Sequence, residues 1–114
     1  YAMAITILEK GRTNIKDDLV ILNYLGTVYY NQGFTLNEEG NSAGANTAFS
    51  NGIAPLEKLL EIEPLSIDGN DTLAKIYHGL AKTEMDDAKK SELAAKGDAY
   101  GDKKRELIMS GEGK

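Results

Sequence analysis

The sequence lacks cysteine and tryptophan, and it contains only two prolines and one histidine. Without cysteine the chain can form no disulfide and no thiolate metal site, and it has no cysteine nucleophile. Because His78 is the single histidine, the sequence disfavours a histidine-based metal centre or a catalytic triad. We therefore expect neither a metal nor another cofactor.

Positive charge is in the minority, and long apolar runs are missing. Thirteen lysines and arginines face eighteen acidic residues, which gives a net charge of −5 and disfavours binding to a nucleic-acid backbone. No apolar run approaches the roughly 20 residues of a membrane-spanning helix, and no signal-peptide pattern is present. At 114 residues the chain is expected to form a single domain that binds no nucleic acid and does not insert into a membrane.

Helical periodicity runs through most of the chain, and no segment alternates as a strand would. The pattern predicts an all-α fold with about five helices. The apolar stripes of the central helices are formed by Leu22, Leu25 and Tyr29, by Ile53, Leu56, Leu59 and Leu60, and by Leu73, Ile76, Tyr77 and Leu80. Because the helix that begins near Asp17 is apolar on most sides, we expect it to be buried between its neighbours.

Residues 34–51 have a different composition, rich in asparagine, glycine, serine and threonine. They predict a loop followed by a weak helical start, with Gly33 ending the helix before it. Pro55 follows, and it either begins the next helix or kinks a longer one.

Two of the predicted helices carry the same pattern of large and small residues, Leu22-x2-Leu25-Gly26-x2-Tyr29 and Asn70-x2-Leu73-Ala74-x2-Tyr77. The helices before and after the first of these two contain the same tripeptide, Leu8-Glu9-Lys10 and Leu56-Glu57-Lys58. The chain resembles the tetratricopeptide repeat family, whose signature is W-x2-L-G-x2-Y followed by A-x3-F and P over about 34 residues. The bulky first position departs from that signature in both copies.

The resemblance implies a solenoid of antiparallel helix hairpins, in which small residues at Gly26 and Ala74 let the first helix (A) of each repeat approach the second (B). It divides the single domain into the B helix of an incomplete repeat (1–16), a complete repeat (17–64) and a last repeat (65–96). An extended C-terminal helix with a frayed tail (97–114) follows. The central repeat is about 14 residues longer than the family's, which predicts an insertion at 34–51.

Members of this family hold protein or peptide partners on the concave face of the array, which A helices line. The resemblance places these residues on that face: Val20, Asn23, Thr27, Tyr30, Asn31, Asp68, Asp71, Lys75 and His78. The family's clamp for a terminal carboxylate needs basic groups, but Asp68 and Thr72 occupy those positions. A partner with some positive charge is therefore expected.

Two other hypotheses come from the same residues. The uncovered edge of the incomplete repeat could pair with a second copy, making the chain a homodimerisation module. Alternatively, Asp71, Lys75 and His78 share a helix face at a spacing that permits an acid–histidine pair. That spacing equally permits a surface ion pair, and no nucleophile accompanies the three residues, so we expect no enzymatic activity.

Overall fold

The computed structural model describes residues 15–114, and every regular element in that range is an α-helix. The predicted all-α class is confirmed. The predicted helix within residues 1–16 lies almost wholly outside the described residues. The described helices are α1 (Ile15–Glu38), α2 (Ser42–Ile62), α3 (Ile67–Thr83) and α4 (Asp87–Ser110).

Three of these helices begin at a residue whose side chain caps the first turn. Asn41 accepts a hydrogen bond from the Gly44 amide at 2.9 Å, and Ser66 accepts one from the Gly69 amide at 3.0 Å. Asp86 does the same for α4. Each cap satisfies an amide that has no partner inside its own helix, so the caps fix where α2, α3 and α4 begin.

Consecutive helices form antiparallel hairpins. Gly26 of α1 faces Leu56 of α2, and further along α1 Gly33 faces Phe49, so α2 runs in the opposite direction. In the second hairpin, Tyr77 of α3 stacks on Tyr100 of α4 with ring centroids 5.7 Å apart. Because α3 also contacts both α1 and α2, it joins the two hairpins into one stack.

The predicted loop that begins at residue 34 is wrong, whereas the helical start predicted after it is present. Helix α1 continues through Gly33 to Glu38, and α2 already begins at Ser42, so only a three-residue turn separates them. Gly40 reverses the chain there with a φ of 82°, a conformation that glycine adopts without strain. Both helices of this hairpin are therefore longer than expected from the sequence.

Close packing explains why glycines do not break these helices. A Cβ on Gly33 would collide with the ring of Phe49, and one on Gly52 would collide with Ile76. Each glycine costs about 1 kcal/mol of helix propensity, but its missing side chain admits a large apolar group from a neighbouring helix. Pro55 lies inside α2 and does not begin it.

The main core forms where α2 meets α3, and it confirms Tyr77 as a core residue. Its buried members are Ala45, Phe49, Leu56, Leu73, Ile76, Tyr77 and Leu80. On α1, Leu22 and Leu25 are buried as expected, but Val20 is 65% exposed and Tyr24 is 54% exposed. The expectation that α1 is buried on most sides is therefore wrong for the face that carries these two residues.

The predicted frayed tail is docked against the start of α3. Gly111 ends α4 with a φ of 73°, and the chain then turns back so that Gly113 packs on Ile67. The Lys114 amide donates to the Leu65 carbonyl at 2.8 Å, and the Ile67 amide donates to the Lys114 carbonyl at 3.1 Å. These two backbone hydrogen bonds fix the tail beside the turn between α2 and α3.

Candidate partner-binding groove

Two cavities lie along the groove between α1 and α3. The larger, which we call the main cavity, has a volume of about 560 Å³. Its lining residues are Leu19, Val20, Asn23, Tyr24, Thr27, Leu59, Glu63, Ser66, Asp68 and Lys114. The main cavity therefore brings together four residues that the sequence placed on the concave face, namely Val20, Asn23, Thr27 and Asp68.

The main cavity combines apolar walls with charged groups. Val20 and Tyr24 supply exposed apolar surface from α1, and Leu59 supplies buried apolar surface from α2. Glu63 and Asp68 contribute two carboxylates, whereas Lys114 contributes one ammonium group. The cavity consequently has an apolar interior and a net negative charge.

The Asn23 side chain contains an unsatisfied acceptor. Its Oδ1 atom is buried, and no hydrogen-bond partner for it occurs in the described part of the chain. The neighbouring Thr27 does not serve it, because the Thr27 hydroxyl donates to the Asn23 backbone carbonyl at 2.9 Å. A buried acceptor without a partner loses its hydration and gains nothing in return, which costs roughly 1–3 kcal/mol.

Replacing Asn23 with leucine is expected to raise the free energy of unfolding by about 1–2 kcal/mol, since it removes the unsatisfied oxygen and improves helix propensity. Urea denaturation followed by circular dichroism measures the change. Asn31→Leu is the matched control, because Asn31 is exposed on the same helix and gains only the propensity. Equal stabilisation of the two variants would show that the Asn23 oxygen carries no penalty.

The second cavity, which we call the aromatic cavity, has a volume of about 160 Å³ and includes Tyr30, Lys75 and His78 from the predicted set. The Tyr30 ring lies 5.8 Å from that of Phe49 and 6.3 Å from that of Phe34. The Lys75 ammonium lies 6.0 Å from the centre of the Tyr30 ring. This end of the groove is aromatic and carries basic groups.

Asp71 lies between two lysines and does not interact with His78. Lys104 of α4 donates to its carboxylate at 3.0 Å, and Lys75 lies 3.2 Å from it. Burial acts to raise the pKa of Asp71, but the hydrogen bonds from Lys104 and Lys75 outweigh burial and lower that pKa. Asp71 thus ties α3 to α4 as a stabilising ion pair.

Asp71→Asn is expected to lower the free energy of unfolding by about 1 kcal/mol at pH 7. Because the pKa of Asp71 is lowered in the folded state, its contribution is present above the ordinary carboxyl pKa of roughly 4. It is lost as the pH falls through the lowered value. Denaturation of both proteins at pH 7 and in acid checks this, since the difference should vanish in acid. Asp102→Asn, which removes an exposed pair with Arg105, should have little effect at either pH.

The acid that contacts His78 is Asp98, which sequence reasoning missed. The His78 Nε2 atom lies 2.9 Å from the Asp98 Oδ1 atom, and both side chains are substantially exposed. Asn31 is exposed on α1 and does not line either cavity. Glu63, Leu59 and Lys114 were also missed, because they reach the groove only through the packing of α2 and of the tail.

Within residues 15–114, no cluster of three or more histidine and acidic side chains is arranged to hold a metal ion. None of the four described helices combines the length and apolarity required to cross a bilayer. No family model matches the sequence, and neither the curated proteins nor the solved structures include a match to it.

Proposed function

We propose that this chain is a non-catalytic interaction module of the tetratricopeptide type, which holds a peptide or protein segment in the groove between α1 and α3. The observation that carries the proposal is the main cavity. It unites Val20, Asn23 and Thr27 with Asp68, although these residues come from different predicted repeats. A concave site that joins apolar walls to a few polar groups is the usual form of a binding pocket.

The packing of the hairpins supports the repeat interpretation. Gly26 is buried against Leu56, and the buried Ala74 lies opposite Gly101, so the small position of each pattern faces the helix that follows. The two patterns recur 48 positions apart (25 to 73), and the long α1 and α2 helices account for that spacing. Stacked hairpins of this kind leave a continuous surface for a partner.

The size of the groove suits a short extended segment. Asn23 in the main cavity and Tyr30 in the aromatic cavity are seven residues apart on α1, a rise of about 10 Å. An extended chain advances about 3.3 Å per residue. A segment of about four to six residues would therefore reach both cavities.

A peptide-display selection followed by amide chemical-shift mapping tests the proposal. Selected peptides are expected to shift the signals of Val20, Asn23 and Tyr30, and Val20→Glu should abolish their binding. Ile108→Glu is the matched control, because it introduces the same charge at an exposed apolar residue of α4 outside both cavities. A selection without enrichment, or peptides insensitive to Val20→Glu, would contradict the proposal.

Self-association is the second candidate. The repeat edge predicted to mediate it lies almost wholly outside the described residues, but exposed side chains at the end of α4 offer another apolar surface for it. Ile108 is 53% exposed and Met109 is 87% exposed, so this end of the helix presents apolar surface. Light scattering coupled to size-exclusion chromatography separates the two candidates. A dimer that Ile108→Glu dissociates would support self-association, whereas a monomer across the accessible concentrations would exclude it.

A further inference from the structure

We infer that the main cavity recognises a large apolar side chain next to a lysine or arginine in an extended peptide. The inference rests on the proposed function and specifies the partner of the same site. Two independent features of the cavity carry it: an apolar wall open to solvent and a surplus of carboxylates.

The apolar wall selects the first side chain. Val20 and Tyr24 are both more than half exposed, although they stand beside buried Leu59 at the same cavity. Adjacent exposed apolar residues in a concavity typically mark a binding surface. An aliphatic or aromatic side chain that enters here would remove this surface from water, which is the main favourable contribution to such an association.

The carboxylates select the second side chain. Glu63 and Asp68 line the cavity, and the Leu65 amide donates to Glu63 at 3.3 Å and so holds its carboxylate in place. One lysine, Lys114, offsets part of this charge. The remaining negative potential favours a cation in the partner.

Fluorescence anisotropy with four labelled hexapeptides tests the inference. They carry Leu-Arg, Leu-Glu, Ser-Arg or Ser-Glu at the centre and glycine or serine elsewhere. We expect the Leu-Arg peptide to bind tightest, and replacement of its arginine by glutamate to weaken binding by about tenfold. The double variant Glu63→Gln and Asp68→Asn should reduce this preference to within about twofold. Glu92→Gln, at an exposed residue of α4, should leave it unchanged.

The outcomes separate the inference from the proposed function. Binding at the groove with a preference for glutamate, or without any preference, overturns the inference and leaves the proposed function intact. Failure of all four peptides together with an unproductive display selection overturns both. A second copy in the cavity, seen by light scattering, or contacts from residues 1–14 to Val20, seen by nuclear Overhauser effects, would identify a different occupant and overturn the inference.

Discussion

Replacing Phe49 with alanine is expected to lower the free energy of unfolding by about 4 kcal/mol, the largest effect among the substitutions considered. The Phe49 ring is only 2% exposed, and it fills the spaces left by Gly33 of α1 and Gly79 of α3. One side chain thus holds three helices together. Alanine would leave a cavity at their meeting point that the surrounding backbone cannot close. Urea denaturation measures the loss.

Phe34 provides the matched control for this measurement, because it is the other phenylalanine of the chain and is 51% exposed on α1. Phe34→Ala should cost less than about 1 kcal/mol, since little buried area is lost. Similar losses for both variants would mean that Phe49 is not at the junction of the helices.

Replacing Gly26 with valine is expected to lower the free energy of unfolding by about 3 kcal/mol. A Cβ at this position would overlap the side chain of Leu56, which is completely buried and has no space into which it can move. The helix pair α1–α2 would have to separate to admit the extra atoms. Thermal and urea denaturation both report the change.

Two further variants show whether the effect comes from the contact with Leu56. Gly26→Val combined with Leu56→Ala should be more stable than the sum of the two separate losses predicts, because the added and removed volumes compensate. Gly101→Ala should stabilise the protein by about 0.5–1 kcal/mol, since a Cβ there meets no atom closer than 3.7 Å. Destabilisation by Gly101→Ala, or strict additivity at Gly26 and Leu56, would contradict this account of the hairpin.

The sequence was sufficient to predict the all-α class and the apolar stripes of the central helices, because periodicity reports which face a helix buries. It was misleading at residues 34–51 and at Gly33. Composition there indicates a loop, and each glycine by itself opposes a helix. This helix cost of the glycines is offset by rings and aliphatic groups of other helices that pack against them, such as Phe49 against Gly33. Local sequence contains no information about those contacts.

In the candidate site, too, the sequence predicted features within one helix but not contacts between helices. Val20, Asn23 and Thr27, which the resemblance placed on one face of a helix, line the same cavity. Contacts between helices depend on the hairpin register, which spacing within a helix does not determine. For this reason the sequence did not reveal that His78 contacts Asp98 or that Asp71 contacts Lys104. Asp98 and Lys104 both lie on α4, a different helix from their partners.

The docked tail determines where reporter groups can be attached in binding experiments. Lys114 is fixed by its two backbone hydrogen bonds to the start of α3, and it forms part of the wall of the main cavity. A fluorophore, affinity tag or surface linker joined after Lys114 would leave the protein at the mouth of the groove and would compete with any peptide there. The exposed turn at Gly40 lies at the other end of α1, beside the aromatic cavity, so immobilisation through that turn would keep the main cavity accessible.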